Sequence, residues 1–345
     1  MDIVTSDPQS VGTTADDGSA LDSWQKIVQQ AIRDPDELKR RLDLPVADDP
    51  RIANANQRFS TFVPQPWLER IRPGDPRDPL LLQTLPVAEE TRELPGFSAD
   101  PVGDLPATVA PGLIHKYPGR ALVVTNGDCA IHCRYCFRRQ FPYQTSPRSE
   151  GAFDQVLQTI RGDASIEEVI LSGGDPLMMS DRRLAARLDM IGRIAHVRRI
   201  RLHTRLPVVI PQRVTPELSG ILAESPRPVV AVMHVNHPRE LDEAVNTAFR
   251  RLTDAGVILL NQTVLLAGIN DDVEVLAELS QQLVQFRCLP YYLHQLDRVR
   301  GAAHFEVPVA RGRELVDQLR GRLPGYAVPR YVCEVAGDPA KRILA

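Results

Sequence analysis

The chain has 345 residues, of which 43% are hydrophobic and 25% charged, and its formal net charge is −3. That length buries a sizeable core, and the near-balanced charge excludes an electrostatic footprint for nucleic acid or for an anionic membrane surface. No apolar run reaches the roughly 20 residues that cross a bilayer, and the polar, acidic N-terminus lacks the regions of a signal peptide, which places the chain in the cytoplasm.

Residues 1–20 are small, polar and aperiodic and read as a disordered tail. From Ser23 to Leu44 apolar residues recur at helical spacing, and Asp34-Pro35 splits the run into two short helices. Pro45 to Pro118 is proline-rich and weakly periodic, an irregular wrap with short helices around Trp67 to Ile71. An N-terminal extension over 21–114 is expected. The pattern then changes to strand-length apolar runs at Ala121–Thr125, Val169–Leu171, Ile200–Leu202, Val229–Met233, Val257–Leu265 and Leu289–Leu293. Amphipathic stretches lie between and after them, at 150–161, 180–192, 214–224, 239–255, 271–285 and 310–322. Strands alternating with helices predict an α/β fold with a parallel sheet over 115–322, followed by a C-terminal segment over 323–345. Six units are too few for a closed eight-fold barrel, so a partial (βα)6 barrel or an open sheet is expected. In either fold the loops leaving the strands' C-terminal ends carry the chemistry.

One such loop reads TNGDCAIHCRYCFRR and presents Cys129, Cys133 and Cys136 as Cys-x3-Cys-x2-Cys. Soft thiolates select iron–sulfur clusters or zinc. Three cysteines can hold three irons of a cubane and leave the fourth open. A zinc site wants a fourth protein ligand, and His132 in the same loop keeps a Cys3His site as the alternative. Cys288 and Cys333 stand alone and read as core or near-site residues.

The spacing, with Tyr135 just before the last cysteine, resembles the hallmark of the radical S-adenosylmethionine (SAM) superfamily. The resemblance implies a [4Fe–4S] cluster on the three cysteines, with SAM on the open iron and against Tyr135. Ser172, Gly173, Gly174 and Asp175 follow the second strand and resemble that superfamily's glycine-rich SAM segment. Further blocks (SGGDPL, RLPVVIPQRVTPEL, NHPRELDEA, NQTVLLAGIND, LPYYLHQLD and GYAVPRYVCEVAG) resemble, in order, the lysine 2,3-aminomutase family from about His115 to Lys341. The CRYCFRRxFPY and GAAHFEV blocks resemble its short bacterial form, associated with β-lysylation of elongation factor P. A chain end four residues after Lys341 fits that form.

The family resemblance implies that Lys341 carries pyridoxal 5′-phosphate (PLP), although a single glycine approaches it where longer members have a run. It implies that Lys116, Arg120 and Gln262 contact the PLP phosphate, with Lys116 where longer members have arginine. Arg138 is implied to bind the α-carboxylate of L-lysine, and Asp297 and Glu334 its ε-ammonium. The implied reaction is 2,3-amino migration giving β-lysine. Implied partners are a reducing electron donor such as flavodoxin and a ligase that places (R)-β-lysine on elongation factor P. The alternatives are a free-lysine catabolic aminomutase, an aminomutase for another amino acid, and a non-catalytic zinc or iron–sulfur module.

Overall fold

The computed structural model describes residues 23–345 apart from Ala47 and 146–148, so the expected tail over 1–20 lies outside the described residues. Five short helices lead: α1 (Ser23–Gln29), α2 (Pro35–Arg41), α3 (Pro50–Arg58), α4 (Gln65–Leu68) and α5 (Pro79–Leu82). The break at Asp34-Pro35 is a start signal, because Asp34 caps α2 by accepting from the Asp36 amide at 3.0 Å.

A ten-stranded sheet then forms in sequence order. It opens with antiparallel β1 (Thr108–Ala110) and β2 (Leu113–Tyr117). Seven parallel strands follow: β3 (Arg120–Val124), β4 (Glu168–Ser172), β5 (Arg199–Thr204), β6 (Val229–His234), β7 (Ile258–Val264), β8 (Leu289–His294) and β9 (Arg330–Cys333). Antiparallel β10 (Arg342–Ile343) closes the order. Between the parallel strands run α6 (Glu150–Gly162), α7 (Asp181–Gly192), the short α8 (Leu206–Val209), α9 (Pro216–Ala223), α10 (Glu243–Asp254), α11 (Val273–Gln285) and α12 (Val309–Arg320). Six βα units therefore precede the last parallel strand. The six strands read from the sequence are all present. β9 and the three antiparallel strands β1, β2 and β10 escaped because they are short or mix charged with apolar residues.

Five of these helices start where a side chain caps them, while α8 and α12 begin at Arg205 and Pro308 without one. Ser149, Ser180, Thr215 and Asp242 each accept from the third amide onward, and Asp272 from the second and third. Their apolar faces cover the sheet, so β4 is buried along its whole length, as a parallel strand flanked on both faces must be. Cys288 is fully buried in this core, and Cys333 lies on β9.

The sheet is curled. β2 and β9 are seven strand spacings apart, about 34 Å if flat. Lys116 on β2 nevertheless donates to Glu334, the residue after β9, at 2.7 Å. Only a partial barrel brings these together. Among the described residues no helix is long and apolar enough to cross a membrane.

The N-terminal extension clamps the loop after β3. Arg134, fully buried, donates to both oxygens of Glu90 at 2.8 and 2.6 Å and to the Phe59 carbonyl at 2.6 Å. Arg139 joins the same carboxylate at 2.6 Å. Glu90→Ala leaves two buried guanidiniums without their anion and is expected to cost about 3–5 kcal/mol in denaturant unfolding. Unchanged stability would show that the clamp contributes nothing.

Candidate active site

One cavity of about 280 Å³ fills the barrel interior. Its lining includes all three cysteines of the β3 loop and Lys341. The remaining sequence-derived residues (Lys116, Arg120, Tyr135, Arg138, Ser172, Gly173, Gly174, Asp175, Gln262, Asp297 and Glu334) line it as well.

The three thiols are free and half-buried. Burial, followed by the neighbouring thiols, pushes Cys129 well above the ordinary thiol range and Cys136 up to about 11. Such a set gains from a cationic centre that accepts it as thiolates. Among the described residues no three His, Cys, Asp or Glu side chains converge on a single metal ion. His132 is turned away: its Nδ1 is 2.7 Å from the Ser60 carbonyl, and its ring stacks on Phe59 at 4.9 Å. The donor set therefore fits a cluster with three protein thiolates and an open iron, and does not fit the Cys3His alternative.

The glycine segment packs directly on the cysteine loop. A Cβ on Gly174 would stand 2.1 Å from the Asp128 carbonyl oxygen. One on Gly173, whose φ is +128°, would stand 2.5 Å from that of Asn126. The Gly174 and Asp175 amides donate to those same two carbonyls at 2.8 Å. The close approach expected toward a ligand is made toward the loop that carries the ligands. Asp175 spends both carboxylate oxygens inside the protein, accepting from the Thr204 hydroxyl and from the Leu177, Arg205 and Leu206 amides. It fastens β4 to the end of β5.

Arg205 carried no role in the sequence reading, yet it sits beside the cysteines. Its guanidinium lies 2.7 Å from Cys133 Sγ and donates to the Tyr135 hydroxyl at 2.7 Å and to Glu240 at 2.9 Å. Tyr135 is buried, and its hydroxyl also meets His234 and Asn236.

Around Lys341 charges alternate. Asp104 accepts from Lys116 at 2.5 Å and from Arg138 Nε at 2.7 Å. Lys116 donates on to Glu334, and Glu334 holds the ammonium of Lys341. Arg138 also reaches Ser172 Oγ at 3.3 Å. Arg120 lies over the Tyr117 ring at 4.7 Å. Burial alone would raise Asp104, but Arg138 and Lys116 hold it below the ordinary carboxylate range. Glu334 is likewise opposed by burial, yet Lys341 and Lys116 bring it down to about 2. Asp297 moves the other way: burial and the nearby Glu334 push it up to about 7. Asp104 was missed because an acid in a proline-rich loop gives no sequence signal.

Residues 123–279 match the family model described as the radical SAM superfamily. The chain is 44% identical over 323 residues to the L-lysine 2,3-aminomutase of Haemophilus influenzae, covering 94% of this chain and 96% of that protein. It is 41% identical to the enzyme of that name from Escherichia coli, covering 94% of each. Identity to the Clostridium subterminale L-lysine 2,3-aminomutase is 37%, over 92% of this chain and 76% of that one.

Two outcomes follow from the geometry. Gly174→Ala is expected to push the glycine segment off the cysteine loop, lowering iron bound per chain and costing about 1–3 kcal/mol. Full iron loading would contradict this contact. For Asp297 the folded protein prefers the protonated acid, so its favourable contribution is complete near pH 4 and is lost as pH rises through about 7. Ligand-free Asp297→Asn should therefore melt a few degrees higher than wild type above pH 7, with the gap closing toward pH 4; a gap independent of pH would exclude this titration.

Proposed function

The chain belongs to the lysine 2,3-aminomutase family of the radical SAM superfamily, and from that membership we propose that it converts L-lysine to β-lysine by 2,3-amino migration. The observation that carries the proposal is one cavity lined by Cys129, Cys133 and Cys136 together with Lys341. Bound there, the [4Fe–4S] cluster and SAM supply hydrogen-atom abstraction, and PLP supplies stabilisation of the unpaired electron while the amino group moves.

The chain's own residues hold the substrate and shield it. Arg138, fixed through Nε by Asp104, keeps the rest of its planar fork for the α-carboxylate. Glu334 and Asp297 receive the ε-ammonium. Glu334 already holds a primary ammonium, that of Lys341, and a lysine side chain presents the same group to the same carboxylate. Two acids facing one cation also compensate its burial. Lys116, Arg120 and Gln262 take the PLP phosphate. Arg205 and Tyr135 position the cysteine end, and the barrel wall excludes water.

The finer reading is that the product is (R)-β-lysine, passed in the cytoplasm to a ligase that modifies elongation factor P, with a flavodoxin-like donor as reductant. The short-form blocks CRYCFRRxFPY and GAAHFEV support it.

Anaerobic reconstitution followed by assay of lysine, glutamate and β-lysine tests the activity. Interconversion of α- and β-lysine is expected; turnover of glutamate but not lysine would overturn the substrate assignment. Cys133→Ala and Lys341→Ala should each abolish turnover, the first with iron depleted and the second with iron retained. Glu334→Gln is expected to lower kcat/KM for lysine on the order of 10²-fold, the scale of a broken buried ion pair.

A further inference from the structure

Four polar atoms buried in the cavity wall make no hydrogen bond within the protein: Tyr117 Oη, beneath the Arg120 guanidinium, Arg205 Nε, His203 Nε2 and His294 Nε2. Arg205 belongs to the cysteine end already described. The two histidines belong to neither the cysteine loop nor the charge chain, and their positions are unusual. His203 lies on β5 and His294 on β8, on the barrel's inner face, where parallel strands covered on both sides ordinarily carry apolar side chains. His294 is 8% exposed.

Both line the cavity that Lys341 also lines. His294 stands opposite Val332 on β9, two residues before Glu334, whose carboxylate holds Lys341. Tyr292 meets His294 edge to face with ring centroids 5.4 Å apart, and its ring lies tilted against that of Tyr291 with centroids 3.7 Å apart. The cavity that holds the Lys341 amine is thus walled in part by aromatic rings and carries free imidazole nitrogens. Burial, then Arg201 and Lys341, holds His203 well below the ordinary imidazole range. Burial and Lys341 bring His294 down to about 3. Both rings are neutral, so each offers a hydrogen bond without a charge.

We infer that His203 and His294 bind the ring of PLP, their free Nε2 atoms hydrogen-bonding its pyridine nitrogen and phenolic oxygen. The inference rests on the PLP-dependent reading above and adds to it the residues that set the ring's electronic state. An acidic partner would protonate the pyridine nitrogen and make the ring a sink for an electron pair. A neutral imidazole leaves that nitrogen unprotonated, in keeping with chemistry on a single unpaired electron.

The test is titration of the cluster-loaded, PLP-stripped full chain with PLP and with 1-deaza-PLP, which lacks the ring nitrogen, reading affinity and the absorption maximum. Wild type is expected to bind the deaza analogue roughly tenfold more weakly, the scale of one hydrogen bond. His203→Leu and His294→Phe should each weaken PLP by about the same factor and shift its absorption maximum, with iron content unchanged. His203→Gln and His294→Gln, which keep an N–H donor, should recover most of the affinity. Equal binding of PLP and the deaza analogue by wild type, or unaltered affinity and spectrum in both apolar variants, would overturn the inference. Failure of wild type to bind PLP at all would instead remove the reading on which it rests.

Discussion

The line of charges Asp104, Lys116, Glu334 and Lys341 joins the first part of the sheet to its last strand. Each member is largely shielded from water, so none is tolerable without its neighbour of opposite sign. The consequence is geometric. A sheet that would otherwise splay is drawn into a partial barrel, and Lys341, close to the end of the chain, is fixed inside a cavity whose other wall is a loop some two hundred residues earlier. The same constraint explains the divergence of two neighbouring acids. Glu334 has both lysines and stays ionised far into acid, whereas Asp297, buried beside Glu334, is raised toward neutrality.

The cysteine end depends on a different device. A long loop bearing three thiols has little structure to hold it, and the N-terminal extension supplies that support through the buried Arg134–Glu90–Arg139 cluster. Beneath it, Gly173 and Gly174 let β4 approach to hydrogen-bonding distance of the loop backbone. Asp175 ties that junction to β5, where Arg205 begins its contact with Cys133. The site is thus assembled from pieces remote in sequence, each held by polar contacts inside the protein.

Much of this was legible beforehand. The six strands and their crossover helices carried clear periodicity, and the cysteine spacing announced its own chemistry. What escaped did so for physical reasons. β9 has four residues and begins with arginine, so neither length nor pattern separates it from a loop. Asp104 acquires meaning only from the two cations that the fold brings to it. Arg205 was in view within a recognised block, but nothing local reveals that its guanidinium reaches a thiol. His203 and His294 left a signal that could have been read: a polar residue at an inward position of a doubly covered strand needs a partner, and the sequence supplies none nearby.

The central claim is that Lys341 is the residue that carries PLP. The chain offers only four lysines, and two of them, Lys116 and Lys341, share Glu334 in the same cavity. Borohydride fixation of PLP to the folded protein, followed by peptide mapping, distinguishes them. A single pyridoxyl group on the peptide containing Lys341 is expected. Its appearance on Lys116, or an even spread over the exposed lysines, would contradict the account.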